Sequence, residues 1–306
     1  MDIETYNHIR SGGTGYYEHD RGLIAVWGKE AVPFLDGMIT NDMKTLEDGM
    51  QMLAAFPNAQ GRLLAVVRVL RQGERFLIET EEATREKVYQ NLFRFTYAGD
   101  FFVEDLSEQY QYFEFFGTRA STRSWQWNEK SFFGFVGRGS EDYYIPSDEW
   151  ADSFREKALS MGDPEISDDT YEILRIESGI PKYGVDMDET TIVPELGLEG
   201  LISYNKGCYI GQEIIARIHF RGHVAKQLTG LIMSEPGDIS TGSELTSPDG
   251  KNAGRVTSTT YSPQLEKHIA LAYVRYEFLA EGTELKITEH NATVKALPFI
   301  VSTNSI

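Results

Sequence analysis

The chain has 306 residues, of which 41% are hydrophobic and 25% charged, with a formal net charge of −18 and a single cysteine. This composition is typical of a globular chain of about two domains, and one cysteine excludes an intrachain disulfide framework. The strong negative charge disfavours direct binding to nucleic acid or to anionic membrane surfaces.

The first half of the chain alternates the patterns of strands and helices, which favours an α+β region. The expected elements are a strand at 23–27, a helix at 29–39, a helix or tight turn at 40–49, a hairpin at 62–80 around Gln72-Gly73-Glu74, a helix at 82–95, strands at 100–105, 111–117 and 132–138, and a helix at 148–159.

The pattern changes after about residue 224. Short strand-like runs separated by turn signals then follow, which is typical of a small β-barrel or sandwich. We therefore predict two regions, an α+β region at 1–223 and a C-terminal β-barrel at 224–306. The expected strands of the barrel are 228–233, 252–259, 268–275, 283–288 and 292–298.

The start of the sequence has no basic stretch followed by an apolar one, so we expect no secretory signal. The apolar runs are also too short for a membrane span. Together with the single cysteine, these features predict a cytoplasmic protein.

The single cysteine lies in 205-NKGCYIGQEIIAR-217, ahead of an apolar-periodic stretch. If residues 211–218 form a helix, the helix dipole and neighbouring Lys206 both favour the thiolate of Cys208. The alternative is a buried, inert cysteine, because free cysteine is often a small core residue. Spacing alone leaves both interpretations open.

The following segment, 217-RIHFRGHVAK-226, alternates basic and apolar or small residues. If it is extended, Arg217, His219, Arg221 and His223 line one face. Such a strip on an acidic protein suits an anionic small molecule with carboxylates, and the alternative is a solvated strand face. The two histidines lack the glutamate of a zinc motif, so we predict no metal site.

Several segments resemble one known family. The stretch 206-KGCYIGQE-213 closely resembles the signature of the YgfZ-type folate-binding proteins, a branch of the glycine-cleavage aminomethyltransferase (T-protein) superfamily. Other segments resemble that superfamily in the same order along the chain. They are 34-FLDGMITNDMKTLEDG-49, 57-PNAQGRLLAVVRV-69, 175-RIESGIPKYGVDMDETTIVPELGL-198, 253-AGRVTST-259 and 271-LAYVR-275.

The resemblance implies an α+β, aminomethyltransferase-like cloverleaf of folate-binding subdomains around a central cavity, followed by a β-barrel. It implies tetrahydrofolate or a derivative as cofactor, with Tyr183 and Glu195 at the pterin. Without the resemblance, Glu195 is interpreted as an acidic residue at a helix N-terminus, where its charge complements the helix dipole. The further site residues expected on this basis are Asn41 and Asp186 as cofactor contacts, Arg217 and Arg221 at the glutamyl carboxylates, and Cys208 with Lys206 as catalytic candidates.

One departure from the superfamily concerns its chemistry. True aminomethyltransferases have an acidic residue where this chain has Leu64 and Ala65. The group that would provide general acid–base catalysis at the folate nitrogen is therefore missing. The resemblance therefore implies an accessory protein for iron–sulfur cluster assembly or repair, with only an indirect effect on tRNA modification. Its expected partners are folate and iron–sulfur assembly proteins or client enzymes. Two alternatives remain open. One is a folate-dependent one-carbon transferase, which is favoured if Asp42 or Asp186 reaches the folate nitrogen. The other is an interaction module in which Cys208 is structural.

Overall fold

The computed structural model describes residues 1–117, 133–136, 140–147, 149–235, 237 and 239–301. The chain divides into two compact units, and each is built from separate stretches of sequence. One unit comprises Asp20–Glu108 and Lys182–Gln227. The other comprises Met1–His19, Gln109–Pro181 and Leu228–Ile306.

The unit built from Asp20–Glu108 and Lys182–Gln227 contains a five-stranded antiparallel sheet with strand order β3-β4-β5-β2-β6. Its strands are β2 (Arg21–Trp27), β3 (Gln51–Pro57), β4 (Leu63–Gln72), β5 (Arg75–Glu81) and β6 (Phe102–Asp105). Its helices are α2 (Ala31–Met38), α3 (Glu82–Phe93) and α6 (Gln212–Arg221), with short 3-10 helices at Met43–Thr45, Thr96–Ala98 and Val193–Leu196.

Both faces of this sheet are covered. Successive residues of a strand point to opposite faces, and accordingly Ala54 packs into a core with α2 and α3 while Ala55 packs into a second core. The second core is completed by the later stretch of the unit, including Val193, Leu196 and Ile215. The sheet therefore supports that later stretch, which carries most of the predicted site residues.

The other unit contains a four-stranded antiparallel sheet, order β1-β7-β9-β8, and a closed six-stranded barrel, order β10-β13-β12-β11-β14-β15. The strands of the sheet are β1 (Thr14–His19), β7 (Tyr110–Gly117), β8 (Phe133–Val136) and β9 (Ser140–Pro146). The helices of this unit are α1 (Ile3–Arg10), α4 (Glu149–Ser160) and α5 (Asp168–Glu177). The barrel strands are β10 (Lys226–Met233), β11 (Glu244–Thr246), β12 (Asn252–Ser262), β13 (Lys267–Arg275), β14 (Glu284–Ile287) and β15 (His290–Lys295).

The predicted α+β class with a C-terminal barrel is confirmed. The hairpin prediction is also confirmed, because Gln72 and Arg75 pair across a two-residue turn. For the strand expected at 132–138, only 133–136 fall within the described residues, and these are β8. Within the described residues, no helix is long and apolar enough to cross a membrane.

Candidate functional site

The lysine of the cysteine motif is buried rather than poised beside the thiol. The side chain of Lys206 is 1% exposed, and its Nζ lies 3.2 Å from Asp36 Oδ1. It donates to the backbone oxygens of Asp36, Ile39 and Asn41 at 2.6, 2.9 and 2.7 Å. The ammonium is thereby committed to the end of α2 and the turn after it, and it shares no described hydrogen bond with Cys208.

Burial and charge act against each other in this pair. Burial lowers the pKa of Lys206, although Asp36 opposes the shift. Burial also works against ionisation of Asp36, but Lys206, Lys44 and the Met43 N–H together hold its pKa below the usual range. Lys206 and Asp36 therefore form a buried ion pair, and backbone carbonyls accept the other hydrogen bonds of the ammonium. A buried ion pair is tolerated when its remaining donors and acceptors are satisfied in this way.

Asn41 belongs to the same structural cluster. Its Nδ2 donates to the carbonyl oxygens of Leu53 and Gly200, both at 2.8 Å. Its Oδ1 accepts the Asp42 N–H at 2.9 Å. Both amide donors therefore join the turn after α2 to β3 and to the later stretch of the unit.

Cys208 lies in a loop four residues ahead of α6 and is exposed. This position excludes the buried, inert cysteine that sequence spacing had left open. The next residue is fixed by two contacts, because the Tyr209 N–H donates to Gln212 Oε1 at 3.1 Å and Lys206 Nζ lies 5.0 Å from the Tyr209 ring centroid. Burial raises the pKa of Tyr209 to about 12.

The second glycine of the motif is required by close backbone packing. Gly211 has φ +80°, and a Cβ placed there would lie 2.3 Å from the carbonyl oxygen of Asn58. Only glycine combines this conformation with that approach. The start of α6 is therefore packed directly on the turn that precedes β4.

Glu195 is presented by a segment that pairs with the start of β4. The Leu63 N–H donates to Thr191 O at 2.8 Å, and the Val193 N–H donates to Gly61 O at 3.1 Å. The short 3-10 helix Val193–Leu196 follows, and there Glu195 is only 5% exposed.

The carboxylate of Glu195 is incompletely compensated. Burial raises its pKa, opposed by Lys226, the Ile192 N–H and Arg62. Lys226 Nζ lies 3.8 Å from Glu195 Oε2, which is beyond hydrogen-bonding distance, and the Lys226 side chain is 44% exposed. A buried acid with a raised pKa is a frequent mark of a binding or catalytic position.

Tyr183 is half-buried and held from two sides. Its N–H donates to Glu81 Oε2 at 3.0 Å, and its hydroxyl accepts from Lys87 Nζ at 3.1 Å. Lys87 also pairs with Glu189, and its ammonium lies 5.2 Å from the Tyr183 ring centroid. Burial works against the charge of Lys87, yet its two partners raise its pKa.

Asp186 and Asp42 are both engaged with backbone. Asp186 is 1% exposed, and its Oδ2 accepts the Lys182 N–H at 3.0 Å. Asp42 caps the short 3-10 helix by accepting the Lys44 N–H at 3.0 Å. Ala65 is fully buried in the core on the α2 side.

The predicted basic strip is wrong. Residues 212–221 form α6, which ends at Gly222 with φ +89°. A helix turns about 100° per residue, so His219 lies on the opposite side from Arg217, and His223 lies beyond the helix. Arg217 and Arg221 remain close to each other as an i, i+4 pair, and both are exposed.

Sequence reasoning missed Lys87 and Lys226. Neither stands in a recognisable motif, and each reaches its partner across a long stretch of sequence. Among the described residues, no group of three or more His, Cys, Asp or Glu side chains could hold a metal ion.

Two family models match the chain. A model of the GCVT N-terminal domain matches residues 7–123, and a model of the glycine cleavage T-protein C-terminal barrel domain matches residues 226–300. An aminomethyltransferase of Thermoanaerobacter pseudethanolicus is 24% identical over 330 residues, covering 99% of this chain and 88% of that protein.

Two further relatives are informative. A protein of Mycosarcoma maydis named as a mitochondrial iron-sulfur cluster assembly factor IBA57 homolog is 26% identical over 334 residues, covering 92% of this chain and 78% of that protein. The crystal structure of glycine cleavage system aminomethyltransferase T from Bartonella henselae superposes with a TM-score of 0.85 at 21% identity, covering 98% and 90% of the two chains. The last match shows the shared fold.

Proposed function

This chain belongs to the glycine cleavage T-protein superfamily, and from that premise we propose that it is a YgfZ-type, tetrahydrofolate-binding accessory protein of iron–sulfur cluster assembly or repair. The resemblance of 206-KGCYIGQE-213 to the YgfZ-type signature supports the branch. The similarity to the iron-sulfur cluster assembly factor homolog of Mycosarcoma maydis supports the process.

The observation that carries the folate half of the proposal is the environment of Glu195. Its carboxylate is 5% exposed, burial raises its pKa, and its nearest cation stands at 3.8 Å. A carboxylate can accept two N–H groups from the aminopyrimidine edge of a pterin, which would supply the hydrogen bonds that Lys226 leaves unmade. These features fit a tetrahydrofolate ligand held at its pterin end.

Tyr183 supports the same assignment by being pre-positioned. Its backbone and hydroxyl are both fixed, by Glu81 and by Lys87. A ring held in this way can pack against a planar ligand with little loss of side-chain entropy on binding. When bound, tetrahydrofolate would supply its N5 and N10 nitrogens as carriers of one-carbon units.

We assign the proposed role in iron–sulfur cluster assembly or repair to Cys208. It is exposed, and it is the one cysteine of the chain. A cluster generally needs four ligands, so Cys208 alone cannot scaffold one. We propose that its thiol acts on a cluster or sulfur group held by a partner protein, and that any effect on tRNA modification follows indirectly through iron–sulfur enzymes.

One-carbon transfer is the alternative, favoured by the similarity to aminomethyltransferases over nearly the whole chain. It requires an acid near the folate nitrogen. Leu64 and Ala65 replace that acid, and Asp42 and Asp186 are each engaged with a backbone N–H. Ammonia release from an aminomethyl donor in the presence of tetrahydrofolate would favour the transferase over the accessory role.

We propose the cytoplasm as the compartment. The single cysteine supports a reducing environment. A fluorescent fusion of the full chain in its own cells would test this.

The decisive test of folate binding is anaerobic calorimetric titration with tetrahydrofolate. We expect micromolar or tighter binding by the wild type and by Glu199→Gln, a matched change at an exposed glutamate of the same segment. Glu195→Gln should bind about 10-fold or more weakly, because hydrogen bonds to a charged group contribute about 1.5–3 kcal/mol. Absence of binding by the wild type would remove the folate half.

The iron–sulfur half is tested separately. In cells lacking the gene, wild type should restore the activity of an iron–sulfur enzyme, and Cys208→Ala should fail while keeping folate affinity. Full restoration by Cys208→Ala would contradict the role assigned to the thiol.

A further inference from the structure

The side of α6 that faces away from the core carries an unusual combination of residues. Ile215 is fully buried and packs in the same core as Val193 and Leu196. Arg217, Phe220 and Arg221 lie about 200°, 140° and 240° round the helix axis from Ile215, on the opposite side. We call these three residues the outer face of α6.

Phe220 is 86% exposed. A single exposed apolar side chain is ordinary on a protein surface. This one, however, lies beside two arginines on the same side of the helix, and aromatic residues and arginine are enriched in protein interfaces.

Both arginines are free to bind carboxylates. Within the part of the chain that the structure describes, Arg217 and Arg221 form no ion pair, hydrogen bond or ring contact, unlike Arg85, which pairs with Asp105. This is notable on a chain with a formal charge of −18, where acidic residues are abundant. Even Glu213, one turn before Arg217, is not within ion-pair distance.

The end of α6 carries an aromatic stack. The rings of His219 and Tyr204 stack with centroids 3.7 Å apart and planes inclined by 17°. Tyr204 is 44% exposed and extends the aromatic surface beside Phe220, whose ring centroid lies 5.7 Å from that of His219.

We propose that the outer face of α6 is a docking surface for an acidic segment of a partner protein. The carboxylates of the segment bind Arg217 and Arg221, and an apolar side chain of the segment covers Phe220. Charge complementarity selects this occupant, because carboxylates can pair with the two exposed guanidinium groups, whereas a basic or neutral segment gains nothing from them. The interaction is therefore sensitive to salt.

The inference reassigns two residues that the family resemblance had placed at the folate tail. Arg217 and Arg221 point away from Ile215, and Ile215 packs beside the segment that presents Glu195. That direction favours a partner protein over the glutamyl carboxylates of a folate held at Glu195. The proposal stands independently of folate binding.

The test is fluorescence polarisation of the full chain with two labelled ten-residue peptides of equal length. One carries four glutamates around a central leucine, and the other carries four lysines around it. We expect the acidic peptide to bind and the basic one not to bind. We also expect affinity for the acidic peptide to fall at least 10-fold in Arg217→Ala/Arg221→Ala and several-fold in Phe220→Ala.

The matched control is Lys29→Ala/Arg94→Ala, which removes two exposed positive charges elsewhere in the same unit. It should bind the acidic peptide as the wild type does. Equal loss in both double variants would reduce the effect to net charge and overturn the proposal. So would absence of binding at millimolar peptide, or displacement of the peptide by tetrahydrofolate pentaglutamate but not by the monoglutamate.

Discussion

Replacing Lys206 by methionine distinguishes a structural lysine from one that activates the thiol. Methionine keeps most of the length of the side chain and removes its charge. The change takes away the donor to three carbonyls and leaves Lys44 as the remaining cation paired with Asp36 among the described residues.

The expected magnitude follows from what remains. Removing one partner of a buried ion pair typically costs about 3–5 kcal/mol. Asp36 keeps Lys44 at 3.2 Å and the Met43 N–H at 3.1 Å, so we expect the lower end, about 3 kcal/mol. The matched control is Lys44→Met, whose side chain is 62% exposed and whose loss should cost about 0–1 kcal/mol.

Two assays on the same proteins separate the interpretations. Urea unfolding followed by circular dichroism should show the large loss for Lys206→Met and a small one for Lys44→Met. The rate at which Cys208 reacts with the thiol reagent dithiobis(nitrobenzoate) at pH 7 should stay unchanged or rise in Lys206→Met, because the loop loses the contacts that hold it in place. A slower thiol reaction with nearly wild-type stability would show instead that Lys206 activates the thiolate.

Three further predictions follow from the site. Burial raises the pKa of Glu195, so its contribution to stability is present below its ordinary pKa and is lost as the pH rises through the raised value. Glu195→Gln should therefore raise the melting temperature at pH 8 and raise it less at pH 5; a gain independent of pH would contradict this. Gly211→Ala should lower the melting temperature by several degrees, because its Cβ would lie 2.3 Å from Asn58 O; an unchanged value would show that the turn yields freely. Lys87→Met should weaken tetrahydrofolate binding several-fold in calorimetry by releasing the hydroxyl of Tyr183, while unfolding free energy changes by less than about 1 kcal/mol; unchanged affinity would separate Lys87 from the site.

The parts of the fold that were predictable from the sequence are those set by local pattern. The hairpin around Gly73 and the longer strands of the barrel have alternating side chains and clear turn residues, and these signals act within a few residues. The strand Glu244–Thr246 was missed because three residues are too few to show a period. Its place depends on pairing with β12 and β14.

The prediction of an extended basic strip at 217–226 was wrong for a different reason. Alternating basic and apolar residues suggested a period of two, whereas Ile214, Ile215 and Ile218 fit one side of a helix. The helical period prevails because it buries Ile215 in the core, and exposed arginines gain nothing comparable from sharing a strand face. Apolar burial decides between two periods when the polar residues remain solvated in both.

The role of Lys206 could not be read from the motif, because its partner Asp36 lies 170 residues away in sequence. A motif records every residue that a site needs, and it does not distinguish those that hold the site from those that act in it. In 206-KGCYIGQE-213, Lys206 neutralises a buried carboxylate and Gly211 permits a close backbone approach, so both serve to fix the loop. Cys208 is exposed between them and makes no described contact that would explain it structurally. The contacts of Lys206 are accounted for by the fold, so of the two residues we propose the thiol as the one that acts on a partner.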